Sequence, residues 1–254
     1  MKRNYGWIPD LPDQRDHVCR TVPQLGLVTA VDMRPVQPPV FDQGQLGSCT
    51  GNGIAAELEA QALAEGRPFL VRSRLFIYYN ERAMEGTITS DAGASIRDGI
   101  KSVAKQGVCP ETEWPYAPSK FAVKPSKACY ADALKFRALT YATVPQTLNS
   151  IKAVLAASRG IVLGISVYES FESDAVAKTG IVPMPESSER LLGGHCVRLV
   201  GYTDKGYPDI PAQHFIGMNS WGTGWGMKGF FAIPYSYIIN PDLCDDIWSI
   251  TATS

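Results

Sequence analysis

Gln43-Gly44-Gln45-Leu46-Gly47-Ser48-Cys49-Thr50 is a glycine-rich turn that delivers one cysteine to the start of an apolar run. From Thr50 onward, Ile54, Leu58 and Ala62 recur every fourth residue, with Ala55 and Leu63 beside them. Gly66-Arg67-Pro68 ends the pattern. The spacing predicts a buried, alanine-rich helix beginning at the cysteine. A helix N-terminus carries partial positive charge and unpaired N–H groups, which favour a thiolate and offer donors to an oxyanion. Gln43 adds a side-chain amide just upstream. Cys49 is the candidate nucleophile.

At 254 residues the chain can form one large domain or two lobes sharing a core. Its 45% hydrophobic and 19% charged residues are those of an ordinary globular protein. A formal net charge of -1 argues against a polyanion-binding surface, so nucleic acid is not an expected partner. The longest apolar run, Gly160 to Val167, is too short to span a bilayer, and no membrane partner is expected. Met1-Lys2-Arg3 is basic, but the residues after it lack the apolar stretch of a secretory leader. Cytoplasmic residence is the default expectation, with signal-independent export left open. Six scattered cysteines contain no C-x-x-C pair, so a structural zinc site is not expected. Most read as buried thiols; Cys109 and Cys129 flank one loop-rich stretch and are the expected pair under oxidation.

Residues 1–30 read as an extended arm broken by Pro9, Pro12 and Pro23, yet Trp7, Ile8 and Leu11 are apolar enough to pack on the body. Val31 to Val40 is a second proline-interrupted piece. Residues 31–135 form a mainly helical region carrying Cys49. Further helices are predicted over Ser73–Met84, over Ser95–Gln106 (Ser95 capping, Gly107 stopping) and around Tyr130–Leu134. Residues 136–254 are mainly strand: Phe136–Val144, Ile161–Tyr168, His195–Tyr202, His214–Asn219 and Gly229–Ile233, with one helix over Thr147–Ala157. Helices followed by antiparallel strands define an α+β protein with two lobes.

Of the three histidines, His17 lies in the arm and His214 opens an apolar strand as a structural imidazole. A lone histidine at a strand start, like His195 after Gly193-Gly194, is also more often structural. Its company changes that reading. Asn219-Ser220-Trp221-Gly222-Thr223-Gly224-Trp225-Gly226 is an odd composition for a plain turn. An asparagine amide can hold one imidazole orientation, and the adjacent Trp221 can keep water from that bond.

These blocks resemble the papain-like cysteine proteases, peptidase family C1, most closely the bacterial branch. Gln-Gly-x-x-Gly-Ser-Cys at 43–49, Gly-His and its strand at 194–202, and Asn-Ser-Trp-Gly-Thr-Gly-Trp-Gly at 219–226 appear in the family's order. Weaker similarity extends the likeness over residues 31 to 235. The resemblance implies a two-lobed papain-like fold, with a helical left lobe, a β-barrel-like right lobe and a cleft between them. It implies Cys49 as nucleophile, His195 as base, Asn219 as orienter and Gln43 as oxyanion partner of the Cys49 N–H, with no cofactor or metal. His195 follows Cys49 by 146 residues, within the family's range of about 130–150. The excess length before Asn219 falls in Asp204–Gln213, expected as a surface loop.

By the same resemblance, Gly93 pairs backbone-to-backbone with a peptide, and Ala94, Ser95, Ile165, Gly194 and Cys196 surround a substrate pocket. None is charged, so an apolar or aromatic preference is expected there. Departures are Thr50, where the family usually has an aromatic residue, and Leu46 and Ala92, where it has a disulfide. The Pro110–Pro125 loop has no histidine pair to grip a C-terminal carboxylate, which points to an endopeptidase acting on peptides or proteins. The short arm is expected either to lie along the cleft and limit access or to act as a structural strap. Rival readings are an acyl transferase of transglutaminase type with the same triad, and a non-catalytic peptide-binding relative. Serine hydrolases and metalloproteases are excluded, since neither G-x-S-x-G nor H-E-x-x-H occurs.

Overall fold

The computed structural model describes residues 4–19 and 26–253; the Met1-Lys2-Arg3 start and Pro23 of the arm lie outside them. The chain order is β1 (Ala30–Asp32), α1 (Cys49–Ala64), α2 (Arg74–Glu85), α3 (Ile96–Gln106), α4 (Lys127–Ala133), β2 (Ala138–Thr143), α5 (Leu148–Ala156), β3 (Ile161–Tyr168), α6 (Asp174–Thr179), β4 (Leu191–Thr203), β5 (His214–Met218), β6 (Phe230–Pro234), α7 (Tyr235–Ile238) and β7 (Cys244–Thr253).

Local chemistry sets the helix ends. Ser73, Ser95, Ser126 and Thr147 each accept a backbone N–H with their hydroxyl and so start α2, α3, α4 and α5. Gly86 ends α2 in the left-handed conformation. Helix α4 starts earlier than its periodicity suggested, because Ser126 caps it.

The strands form one antiparallel sheet in the order β2-β7-β3-β4-β5-β6. It stays open rather than closing into the expected barrel-like form. The long β4 pairs β3 through Leu191–Leu199 and then β1 through Gly201–Thr203 along the same edge, so the chain enters the sheet before it reaches α1. Residues Asp204 to Gln213 form the connecting loop between β4 and β5.

Two apolar cores result. One lies in the sheet around Leu163, Leu199, Phe215 and Phe231, and carries Phe171, Trp221 and Trp225. The other joins α1, α2 and α3 to Val162, Cys196 and Trp248 of the sheet. Helix α1 is thus covered on nearly all sides, polar Asn52, Glu57 and Glu59 included. Its Glu57 carboxylate receives Arg198 of β4 at 2.9 and 2.6 Å, both side chains fully buried. This ion pair fixes the helix that starts at Cys49 to the strand that carries His195.

Candidate active site

Cys49 is the first residue of α1, with Ser48 before it and no solvent exposure. Its sulfur lies against the backbone N–H of Cys196, the residue after His195. His195 is fully buried, and its Nε2 meets Asn219 Oδ1 at 2.8 Å. Trp221 stacks on the imidazole at 4.9 Å with 27° between planes. Trp221 and Trp225 both rest on Phe171, at 5.5 and 5.7 Å. The indole-rich loop is therefore an aromatic anchor for Asn219 and a cover for its hydrogen bond.

The loop also positions Gln43. Gln43 N–H donates to Ser220 O at 2.9 Å, and Ser220 Oγ donates to Gln43 Oε1 at 2.5 Å. Gln43 Nε2 donates to Leu46 O at 2.9 Å, and Tyr116 O–H donates to Gln43 O at 2.9 Å. Nε2 keeps a second hydrogen for an incoming oxyanion.

The two departures from the family pattern have physical replacements. Leu46 is buried in a small cluster with Leu75 and Tyr78. Asp91 accepts Gly47 N–H at 3.1 Å and Tyr78 O–H at 2.5 Å, so a carboxylate ties the nucleophile turn to the wall where the family has its disulfide. Thr50 donates to Glu81 Oε1 at 2.5 Å. Burial pushes the Glu81 carboxyl up to about 8. His214 is structural, its Nδ1 meeting Ala212 O at 2.8 Å.

The arm runs through the cleft. Trp7 N–H donates to Gly194 O at 3.0 Å, Ala94 N–H to Gly6 O at 2.7 Å, and Ile8 N–H to Ala94 O at 3.0 Å. The Trp7 indole fills a slot whose wall is glycine by necessity: a Cβ on Gly164 would stand 1.9 Å from the ring. A Cβ on Gly194 would stand 2.6 Å from Trp7 O. Tyr5 stands edge-on to His195 at 6.1 Å, and its hydroxyl bonds Glu172. The sequence expected Trp7, Ile8 and Leu11 all to pack; Trp7 is 8% exposed, whereas Ile8 and Leu11 are 41% and 83% exposed. In an extended arm only alternate side chains face the body, and the slot takes one of them.

The docked arm shows where each residue of the expected pocket stands. Ala94, not Gly93, makes the backbone bonds to the arm; Gly93, at φ +77°, permits the close approach of Gly6. Ser95 caps α3, and its side chain also hydrogen-bonds Asp10 of the arm. Ile165 points into the sheet core, because strand alternation turns Gly164 toward Trp7 instead. Cys196 shares the apolar cluster of Trp7 and Cys49, with its sulfur directed at Gly53 of α1.

Beside them stands a charge that the sequence reading did not include. Asp246 Oδ2 accepts the Trp7 indole N–H and the Asp10 backbone N–H, both at 2.8 Å. Asp246 sits at φ +53°, where β7 shifts register against β3, and this irregularity aims the carboxylate into the slot. Burial, reinforced by the facing Asp10 carboxylate, pushes it up to about 7.

The same arm covers Cys49. Burial pushes the Cys49 thiol up to about 12, against backbone N–H groups of Cys196 and Gly6 that pull it down. The thiolate expected at a helix N-terminus is thus suppressed while the arm is docked.

A cysteine starting a buried helix, an imidazole held by asparagine beneath a tryptophan, and a glutamine amide beside them define a thiol protease of papain type. The family model for papain family cysteine proteases matches residues 27–239, and the chain belongs to that family, whose members hydrolyse peptide bonds. Its structure is similar to that of xylellain, a cysteine protease from Xylella fastidiosa, with a TM-score of 0.91 and 39% identity over 99% of this chain and 98% of that one. It is also 39% identical, over 98% of this chain and 87% of the relative, to the uncharacterized peptidase C1-like protein L477 of Acanthamoeba polyphaga mimivirus. Pro-cathepsin H of Bos taurus is 31% identical over 77% of this chain, which spans 55% of that protein. The chain is a cysteine endopeptidase.

Proposed function

We propose that Cys49 is the nucleophile of this endopeptidase and that residues 4–19 are an intramolecular inhibitor of it. The observation that carries the reading is the orientation of Gly6. Its N–H faces the Cys49 sulfur, while its carbonyl is bonded to Ala94 N–H. The arm therefore occupies the cleft without offering the nucleophile a carbonyl to attack.

With the arm withdrawn, water and peptide reach Cys49, and the desolvation that holds its proton is relieved. Asn219 on Nε2 leaves Nδ1 of His195 to take that proton, giving a thiolate–imidazolium pair. The thiolate adds to the peptide carbonyl, whose oxygen is held by Gln43 Nε2 and the Cys49 N–H. His195 then protonates the leaving amine and later activates the water that releases the acyl group.

The slot vacated by Trp7 sets the preferred substrate. Its glycine walls accept a flat or slender apolar body, and Asp246 at its end accepts a hydrogen bond. The favoured side chains are tryptophan, arginine and lysine, which revises the purely apolar expectation.

Replacing Trp7 with alanine tests the inhibitor. Loss of the buried indole weakens docking by about 3–5 kcal/mol, so turnover of an unlinked peptide should rise by two orders of magnitude or more. Unchanged turnover with a lower melting temperature would instead make the arm a structural strap.

A further inference from the structure

Away from the cleft, the long segment between α3 and α4 brings together side chains with the chemistry of a metal centre. Cys109 opens that segment. Glu113 and Trp114 N–H both bond Pro110 O, at 3.1 and 3.3 Å, which folds Glu113 back over Cys109. Cys129 lies in the first turn of α4, where its N–H donates to Ser126 Oγ at 3.3 Å and its sulfur stands 3.2 Å from that oxygen. The Cys109 and Cys129 sulfurs and a Glu113 carboxylate oxygen all lie within 4.8 Å of one another. Asp132, one helical turn beyond Cys129, has its carboxyl group in hydrogen-bond contact with that of Glu113.

We propose that Cys109, Cys129 and Glu113 bind a borderline-soft divalent cation of the zinc class, with Asp132 or solvent as the fourth ligand. The spacing is Cys-x3-Glu on a turn and Cys-x2-Asp on a helix, two pairs that only the fold juxtaposes. This is why the absence of a C-x-x-C motif does not exclude the site.

Tetrahedral zinc holds sulfur at about 2.3 Å and oxygen at about 2.0–2.2 Å, which puts its donors roughly 3.5–3.8 Å apart. A small contraction of the observed cluster reaches that geometry. Mixed thiolate and carboxylate donors suit zinc better than magnesium or calcium. The Lys135 ammonium pairs with Asp132, so that carboxylate is shared between the lysine and the cluster. Glu113, Cys129 and Asp132 also line one open hollow, through which a cation enters.

Binding breaks two S–H bonds, forms two metal–sulfur bonds and one metal–oxygen bond to Glu113, and releases both thiol protons and the proton shared by Glu113 and Asp132 to solvent; no electron is transferred. The bound cation would close residues 110–128 at both ends. Within that loop lie Trp114, whose carbonyl accepts Ser73 O–H at 2.7 Å, and Tyr116, whose hydroxyl supports Gln43. The site is thus a staple for one wall of the catalytic turn.

The test uses the full chain, reduced, in a Cys49→Ala background so that the catalytic thiol does not compete. Titration with Zn2+, or with Cd2+ for its thiolate charge-transfer absorption, should show one equivalent bound through thiolate. The melting temperature should rise with metal concentration. Cys109→Ser should abolish both effects. Asp132→Asn should weaken binding about 10–100-fold, and Glu113→Gln by at least as much. Glu113 is exposed, so its variant keeps the test decisive if Cys109→Ser fails to fold. No uptake by the reduced chain, uptake unchanged in these variants, or a protein isolated two hydrogens lighter with a Cys109–Cys129 disulfide would overturn the proposal.

Discussion

Gln43 has little freedom. Ser220, Leu46 and Tyr116 bond its amide oxygen, amide nitrogen and backbone carbonyl respectively. A donor fixed before substrate arrives loses no reorganisation energy when the oxyanion forms. Gln43→Ala should therefore lower kcat/KM by about 10²–10³, mainly through kcat, as steady-state kinetics in a Trp7→Ala background would measure. Asp246 supplies the second residue-scale prediction. Facing it are the Asp10 carboxylate and backbone N–H, the Trp7 indole and neighbouring Asp245; Arg97 acts on Asp10. The docked arm raises the Asp246 carboxyl to about 7, so docking favours its protonated form. The stabilisation is complete below the free carboxylate range and is lost as pH rises through 7. The activity of the full chain, relative to Trp7→Ala at each pH, should climb from pH 5 to pH 8. In Asp246→Asn this ratio should be flat over that range, and the preference for a cationic side chain in the slot should fall.

At the scale of elements, the α1–β4 clamp is the feature with the largest energetic consequence. Arg198→Met leaves the buried Glu57 with only the Gly160 N–H in place of its ion pair, a loss of about 3–5 kcal/mol. Glu57→Leu combined with Arg198→Met should recover much of it; equilibrium urea unfolding of both variants and the parent chain checks this. The helices themselves were legible because their signals are local: Ser95 and Gly107 bracket α3, and Ile54, Leu58 and Ala62 mark α1. The burial of Glu57 and Glu59 was not legible, since nothing in a helical stripe reveals a partner on a distant strand. Strand β7 was missed for a related reason. Cys244-Asp245-Asp246 reads as a polar loop, yet its irregular pairing with β3 is what places an acid in the cleft. Asp91 likewise looked unremarkable, although it takes over the tie that the family makes with a disulfide.

Across the whole molecule, the arm connects distant parts of one chain. It threads the cleft at Gly6 and Trp7, and reaches Trp248 and Arg97 through Asp10 and Leu11. Farther along it lies beside β2, where Cys19 N–H bonds Thr143 O at 2.7 Å. The sequence singled out the residues proposed as catalytic because their motifs are compact, and it read the arm as extended and partly apolar. Its destination is a tertiary fact, set by a glycine-walled slot assembled from Ala94, Gly164 and Gly194. The central claim is that Cys49 is a nucleophile silenced by this arm. Limited alkylation at mildly acidic pH, read by peptide mass, tests it most directly. Cys49 should label slowly in the full chain, and far ahead of the other five cysteines in Trp7→Ala, an advantage that His195→Ala removes. Equal labelling of Cys49 with and without Trp7, or of several cysteines together, would contradict the account.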